Sequence, residues 1–273
     1  MTPRNLSRYA VVLVVLLAFA PLPLAAAELA TLAQVQWGDN PLAPVGGSSV
    51  PGTDIAENMD SFSDEGASFI GSASAFAEYG RVGVLADANA NNSPYLFNAA
   101  VGQAGFTDAL TITGGTPGTP GTITFTVQVD GSATTTGDGQ VLADVVLVQG
   151  DLLTGDLDGV FQFADGGFSF TSKEFNFIYD QPFDFTVTLG VNASVNGSIL
   201  DPPPHSVTGS AVGSFENTVT LTGMAVYEGG VPVTSFAVQS QSGTAYPIPE
   251  PSTLALLGAA LAGWALARLR SRR

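Results

Sequence analysis

The sequence predicts an all-β protein: an antiparallel β-sandwich of jelly-roll type between an N-terminal signal peptide and a single C-terminal transmembrane helix. Three observations lead to this prediction. Apolar and polar residues alternate in many short segments, no helical period of useful length occurs between Glu28 and Pro249, and an apolar run lies near each end. Nine to eleven strands with one apolar face each imply two packed sheets.

The first 27 residues have the order of a secretory signal peptide. A short basic segment with Arg4 and Arg8 is followed by the apolar run 9–20 and by the small-residue stretch 21–27. Ala25 and Ala27 form a small-x-small site, so we expect Sec-type export and cleavage after Ala27, with 18–20 as a second candidate site. An uncleaved anchor is the weaker alternative, because the apolar run is short.

The region that would remain after cleavage, about 28–251, is strongly acidic. All 24 acidic residues lie in it, and Arg81 and Lys173 are its two basic residues, so its formal net charge is −22. Such a surface repels phosphates, which excludes nucleic acid as a partner. The chain has no cysteine, so disulfides and thiolate chemistry are excluded and stability must come from core burial.

Residues 28–65 are predicted to be a polar segment that leads into the mature domain, and residues 66–246 are predicted to form the sandwich. The clearest strand, 122–130, alternates apolar and threonine side chains, and 183–195 is the longest alternation. Residues 87–94 and 131–140 are expected to be loops. Further strands are predicted at 68–79, 81–87, 141–149, 161–163, 168–179, 207–215, 218–227 and 231–240.

Catalytic motifs are absent from the sequence. It has no Gly-x-Ser-x-Gly elbow, no His-Glu-x-x-His, no phosphate-binding loop and no dinucleotide fingerprint. The one histidine, His205, follows three prolines, and Asp201 is its nearest acid. A proline-rich loop is a poor platform for a general base, so we interpret His205 as a solvated loop residue and predict no catalytic residue.

Two oxygen-rich segments are weak candidates for Ca²⁺. Asp87, Asn89 and Asn91 match the first ligand positions of an EF-hand loop, but the turn glycine and the bidentate glutamate are missing. Asp156 and Asp158 form the second segment, with Asp151 and Asp165 nearby. Because Asp-Gly turns are common in β proteins without metal, we predict no cofactor and keep calcium as the alternative.

The C-terminal segment 247–273 has three consecutive parts. Pro249-Glu250-Pro251 is expected to be extended and accessible. Residues 252–267 are predicted to be a transmembrane helix, whose apolar part of 14 residues covers roughly 21 Å. The basic end, 268–273, would stop transfer on the cytoplasmic side; its arginines are Arg268, Arg270, Arg272 and Arg273. A buried C-terminal core helix is the alternative.

This tail resembles the PEP-CTERM sorting signal of bacterial exported proteins over about 25 residues, because the Pro-Glu-Pro motif, the apolar helix and the arginine-rich end occur in order. The resemblance implies processing by exosortase, a membrane-embedded enzyme that removes the tail. It also implies transient anchoring in the inner membrane, followed by release to the cell surface or the extracellular space.

The resemblance does not indicate the function of the mature domain. We expect a non-enzymatic structural or adhesive sandwich at the surface or in the extracellular polymer matrix. The alternative is a carbohydrate-binding or carbohydrate-active sandwich that acts on extracellular polysaccharide. It would need exposed aromatic side chains, for which the candidates are Trp37, Tyr79, Tyr95 and Tyr179.

Overall fold

The computed structural model describes residues 27–38, 45–46, 48–50, 53–150, 155–162, 167–197 and 206–247. Within these ranges the chain forms seventeen strands, and no helix there has the length and hydrophobicity to cross a membrane. The predicted all-β, antiparallel fold class is confirmed. The strands are β1 (Ala27–Trp37), β2 (Val45–Gly46), β3 (Ser48–Val50), β4 (Thr53–Asp64), β5 (Ala67–Glu78), β6 (Arg81–Ser93), β7 (Asn98–Thr113), β8 (Pro120–Val129), β9 (Ser132–Gly137), β10 (Gly139–Gln149), β11 (Asp156–Gln162), β12 (Phe168–Thr171), β13 (Phe175–Ile178), β14 (Pro182–Val195), β15 (Val207–Glu228), β16 (Val231–Val233) and β17 (Ala237–Ser240).

The strands form two antiparallel sheets. The first sheet has the order β11-β10-β14-β7-β1-β2, and β17 also pairs with β7. The second sheet has the order β12-β8-β15-β6-β5-β4-β3, with β13 on β8 and with β9 and β16 on β15. The apolar faces of both sheets contribute to a single buried cluster, which is the arrangement of a sandwich.

Large aromatic side chains fill one part of this core. Phe125 from the second sheet stacks on Phe185 from the first, with ring centroids 3.9 Å apart and planes inclined by 16°. Phe175 packs edge-on against Phe185 at 6.5 Å. These contacts connect the two sheets through the core.

Small side chains are concentrated in the part of the core between β5 and β6 on one side and β1 and β7 on the other. A β-carbon added to Gly102 of β7 would overlap Cγ1 of Val84 on β6 and lie 3.2 Å from the Ser74 carbonyl oxygen of β5, so β7 packs closely against both strands there. The buried alanines of this region are Ala33, Ala73, Ala75, Ala77, Ala86, Ala88, Ala90, Ala100 and Ala104.

Residues 28–65, expected to lead into the sandwich, contribute strands to both sheets. Strand β1 pairs with β7 along its whole length, and β4 pairs with β5 from Thr53 to Asp64. Alternate residues of β1, including Ala33 and Val35, are buried. The contrast between the two sides of β1 is weak, because Thr31 lies on the buried side and Leu32 on the other, and this explains why the sequence suggested a polar segment.

Three further expectations about loops and strand ends were wrong. Residues 87–94 are not a loop, because β6 continues to Ser93 and pairs on both sides. Residues 132–137 form β9, which pairs with β15. The strands expected at 207–215 and 218–227 are one strand, β15, whose pairing registers shift at irregularities between Phe215 and Val219 and between Leu221 and Gly223.

Strand β14 is buried on both faces from Phe185 to Val195, although its alternation of apolar and polar residues is typical of a strand with one face in water. Thr186 and Thr188 on its polar side are 7% and 8% exposed, and Asn192 is 5% exposed. The Thr186 and Thr107 hydroxyls lie 2.8 Å apart and share a hydrogen bond. Mutual hydrogen bonding of this kind lets short polar side chains occupy a buried position.

Several sequence predictions lie outside the described residues. They include the signal peptide up to residue 26 with Ala25, the loop with Asp201 and His205, and the tail from 249 to 273. The predicted cleavage after Ala27, which is the first residue of β1, stays a prediction.

The close approach at Gly102 generates a stability prediction. We expect Gly102→Ala to lower the free energy of unfolding by about 1–3 kcal/mol, because the new methyl group overlaps the stiff Val84 side chain. Denaturant unfolding of the purified domain measures this. Gly223→Ala is the matched control, because its added β-carbon would lie 3.6 Å from Thr126, an ordinary contact. If the Val84 side chain is the obstacle, Gly102→Ala should cost less in a Val84→Ala background than in the wild type. An equal cost in both backgrounds would contradict the explanation.

Asp144, which pairs with Gly190 on the outer face of the first sheet, generates a pH prediction. Burial raises the pKa of Asp144 from 3.8 to about 6. The folded state therefore binds the Asp144 proton more tightly than the unfolded state does. The contribution that this proton makes to the free energy of unfolding is complete below pH 3.8 and is lost as the pH rises to about 6. We expect Asp144→Asn to remove this slope and to gain at most about 3 kcal/mol at pH 7. Identical pH profiles for wild type and variant would contradict it.

Candidate functional site

The C-terminal segment of the described chain is part of the fold. Strand β17 pairs with the end of β7, and the Gln241 N–H then donates to the Ala109 carbonyl at 2.9 Å. A tight turn follows, in which Gly243 has φ +79° and its N–H reaches the Ser240 carbonyl. The segment therefore returns across β7 toward Asp108.

Asp108 is fully buried, and two residues of the C-terminal segment supply its hydrogen bonds. Ser242 donates its N–H to Oδ1 at 3.0 Å and its hydroxyl to Oδ2 at 2.5 Å. The Tyr246 hydroxyl donates to Oδ2 at 2.8 Å. We call Asp108, Ser242 and Tyr246 the C-terminal clasp. Three donors on one carboxylate offset the cost of burying it.

Tyr246 is anchored by packing as well as by its hydrogen bond. It is 6% exposed, its ring stacks on Phe106 at 6.5 Å, and a β-carbon on Gly80 would lie 3.4 Å from it. Burial and the negative charge of Asp108 both raise the pKa of the Tyr246 phenol. The phenol therefore keeps its proton and remains a donor throughout the physiological pH range.

The beginning of the described chain lies at the same place. Ala27 is the cross-strand partner of Asp108 in the β1–β7 ladder. Tyr79, in the turn between β5 and β6, contacts Phe106 edge-on at 6.4 Å. Its pKa is raised by burial and by the charges of Asp108 and Glu28. One end of the sandwich thus carries both the first strand residue and the C-terminal clasp.

Sequence reasoning did not identify Asp108 as a functional candidate. The available signal was its position, because Asp108 lies between Phe106 and Leu110 on the buried face of β7. An acid on the apolar side of an alternating strand needs a polar partner. The partners come from residues more than 130 positions later, which a local pattern cannot reveal.

The four aromatic candidates for sugar binding do not form an exposed platform. Tyr179 is completely buried, and burial together with the charge of Glu228 raises its pKa. Tyr79 packs on the core. Trp37 and Tyr95 are half-buried, and their ring centroids lie 5.3 Å apart. The ring centroid of Phe62 lies 5.0 Å from that of Trp37 and 5.2 Å from that of Tyr95.

The first calcium candidate lies on a strand. Asp87, Asn89 and Asn91 alternate along the outer face of β6, so their backbones are about 7 Å apart from one to the next. Burial raises the pKa of Asp87. A row of this kind lacks the curvature with which a calcium loop converges its oxygens on one ion.

The second calcium candidate is occupied by a lysine. Asp156 accepts a 2.5 Å ion pair from the Lys173 ammonium, and Asp158 accepts a 2.7 Å hydrogen bond from the Lys173 backbone N–H. Among the described residues no three acidic or histidine side chains are grouped as metal ligands. Arg81, the other basic residue between 28 and 251, forms an ion pair with Glu78, with 2.8 Å between Nε and Oε1.

Comparison with known proteins identifies the segment that follows the clasp. The family model of the PEP-CTERM protein-sorting motif matches residues 247–273. The all-β domain therefore carries a PEP-CTERM sorting motif, as its tail predicted. The motif indicates an exported protein that passes through the membrane and is processed there by exosortase. No curated protein matches the chain.

The C-terminal clasp generates a stability prediction. We expect Tyr246→Phe to lower the free energy of unfolding by about 1.5–3 kcal/mol, because a buried hydrogen bond to a carboxylate is lost while the ring remains. Denaturant unfolding measures the change, and Tyr227→Phe on β15 is the matched control. In an Asp108→Asn background the same change should cost less. Equal costs in both backgrounds would show that the bond contributes nothing.

Proposed function

We propose that the chain is an exosortase-processed exported protein whose β-sandwich serves as a structural or adhesive module at the cell surface or in the extracellular polymer matrix. One observation carries this proposal. The sorting motif begins at residue 247, directly after the buried Tyr246. The described domain is therefore the part that is delivered, and the tail is the part that delivers it.

The predicted roles in sorting fall on separate parts of the tail. Pro249, Glu250 and Pro251 would be presented to the enzyme, and residues 252–267 would hold the precursor in the inner membrane. The final arginines would keep the end of the chain in the cytoplasm. The acidic domain, with a formal charge of −22 over 28–251, would remain outside.

An adhesive role is supported by the outer face of the second sheet. Three large apolar side chains are exposed there: Ile55 at 47%, Met59 at 74% and Ile70 at 57%. Met59 lies opposite Ser72 and Ile70 opposite Asn89, whereas Ile55 lies opposite Phe76, so polar and apolar groups alternate on this face. A face that combines apolar and hydrogen-bonding groups can attach to a polymer through both.

A non-enzymatic role is supported by the contacts of the described acids, which link elements of the fold. Asp54 of β4 accepts a 2.9 Å hydrogen bond from Thr31 of β1, and Asp60 accepts one of 3.0 Å from the Trp37 indole. Asp108 lies in the clasp. Carboxylates used in this way stabilise packing and are not gathered for acid–base chemistry.

Polysaccharide binding is the second candidate function. It rests on the aromatic cluster of Trp37, Phe62 and Tyr95, whose half-buried rings lie within 5.3 Å of one another next to Asp60. A sugar ring needs an open aromatic face, and these rings cover one another in part. The outer face of the second sheet is therefore the better-supported contact surface.

Sorting is tested by Glu250→Ala in the full-length chain, expressed with its signal peptide in a bacterium that has exosortase. The change leaves the apolar segment intact, so we expect precursor-sized protein to accumulate in the membrane while wild type is released. Fractionation and immunoblotting measure size and location. Release of the variant at the wild-type rate and size would refute the sorting proposal.

Replacement of the four C-terminal arginines by glutamine is the companion variant. It leaves Pro249-Glu250-Pro251 unchanged and removes the orientation signal, so mis-sorting should occur without a change in the motif itself. Normal sorting of this variant would show that the basic end is not needed to stop transfer.

A further inference from the structure

The C-terminal clasp lies immediately before the sorting motif in the chain. Tyr246 is buried, and Pro249 follows it by three residues, so the two are separated by at most about 11 Å of extended chain. Glu250 is at most about 14 Å away by the same measure. Any enzyme that binds the motif therefore meets the folded end of the sandwich immediately beside it.

Enzymes that cut a peptide chain need several consecutive residues in an extended, accessible form. On the N-terminal side of Pro249 the chain offers Pro247 and Ile248 before it reaches Tyr246. When cutting requires a local opening, its rate follows the population of the open form. At this site the closed form is stabilised by the hydrogen bonds of Ser242 and Tyr246 to Asp108 and by the packing of Tyr246 on Phe106.

We propose that the C-terminal clasp is a gate on processing: exosortase acts on precursor in which Ser242 and Tyr246 have separated from Asp108. This inference rests on the proposed sorting function. Opening releases residues 241–246 from β7, which adds up to about 20 Å of chain between the sandwich and the motif. Asp108 is thus a positioning residue for the processing reaction, since it acts through Tyr246 and does not touch the motif.

The position of Ala27 supports a gate at the membrane-facing end. Ala27 is paired with Asp108, and the predicted signal-peptide cleavage site ends at Ala27. The first described residue and the clasp therefore lie at the same end of the sandwich. Because the tail begins directly after Tyr246, the anchored precursor would hold this end of the domain near the membrane where the enzyme acts.

Pulse-chase measurement of precursor and released protein tests the gate in cells that produce the full-length chain and exosortase. Tyr246→Phe removes one hydrogen bond to Asp108, so we expect release about tenfold faster than wild type. Two controls separate gating from other effects. Tyr227→Phe removes the same atom elsewhere, and Ile123→Val lowers stability in the core of the second sheet without touching the clasp. Both should release at the wild-type rate.

A spacer variant provides the second arm. Gly-Ser-Gly-Ser inserted between Tyr246 and Pro247 adds about 13 Å and leaves the clasp residues in place. Release should become faster, and Tyr246→Phe should then have no additional effect. A Tyr246→Phe rate equal to or below wild type, or acceleration by Ile123→Val of the same size, would overturn the gate. Glu250→Ala is included in each background: if it blocks release while Tyr246→Phe has no effect, sorting stands and only the gate fails.

Discussion

The close approach of the two sheets is the constraint on which the rest of the structure depends. Where β5 and β6 face β1 and β7, many core positions are alanine, and Gly102 has no room for a methyl group beside Val84. Larger side chains such as Phe69 and Phe106 share this part of the core, and Phe125 stacks on Phe185 elsewhere in it. With no cysteine in the chain, this packing replaces the disulfides on which many exported domains rely.

Polar groups inside the sandwich fix how the sheets are placed against each other. Apolar contacts are nondirectional, whereas the hydrogen bonds from Thr31 to Asp54 and from Trp37 to Asp60 join β1 to β4 in one register. Asp108 does the same for the C-terminal segment.

The sequence predicted the fold class because its strongest alternations, such as 183–195, correspond to real central strands. It failed where the signal is not local. Strand β1 has a polar Thr31 on its buried side and an apolar Leu32 on the other, a weak contrast, and Asp87 to Ser93 continue a strand although their composition is typical of a turn. The tail motif is a continuous stretch and could be recognised at once. The clasp joins Asp108 to residues 242 and 246, and no spacing rule connects positions so far apart.

The position of β1 helps to explain why the fold ends where it does. Strand β1 pairs with β7 from Asp108 onward on the edge that β17 uses, so the chain leaves the β7 ladder after Gln241. Pro247 then lacks the backbone N–H needed to begin another ladder. The last contacts of the fold before the motif are therefore those of Ser242 and Tyr246 with Asp108. The Asp108 carboxylate accepts three hydrogen bonds from Ser242 and Tyr246, so one buried side chain holds the last residues of the domain against β7, next to the point where the sorting tail begins.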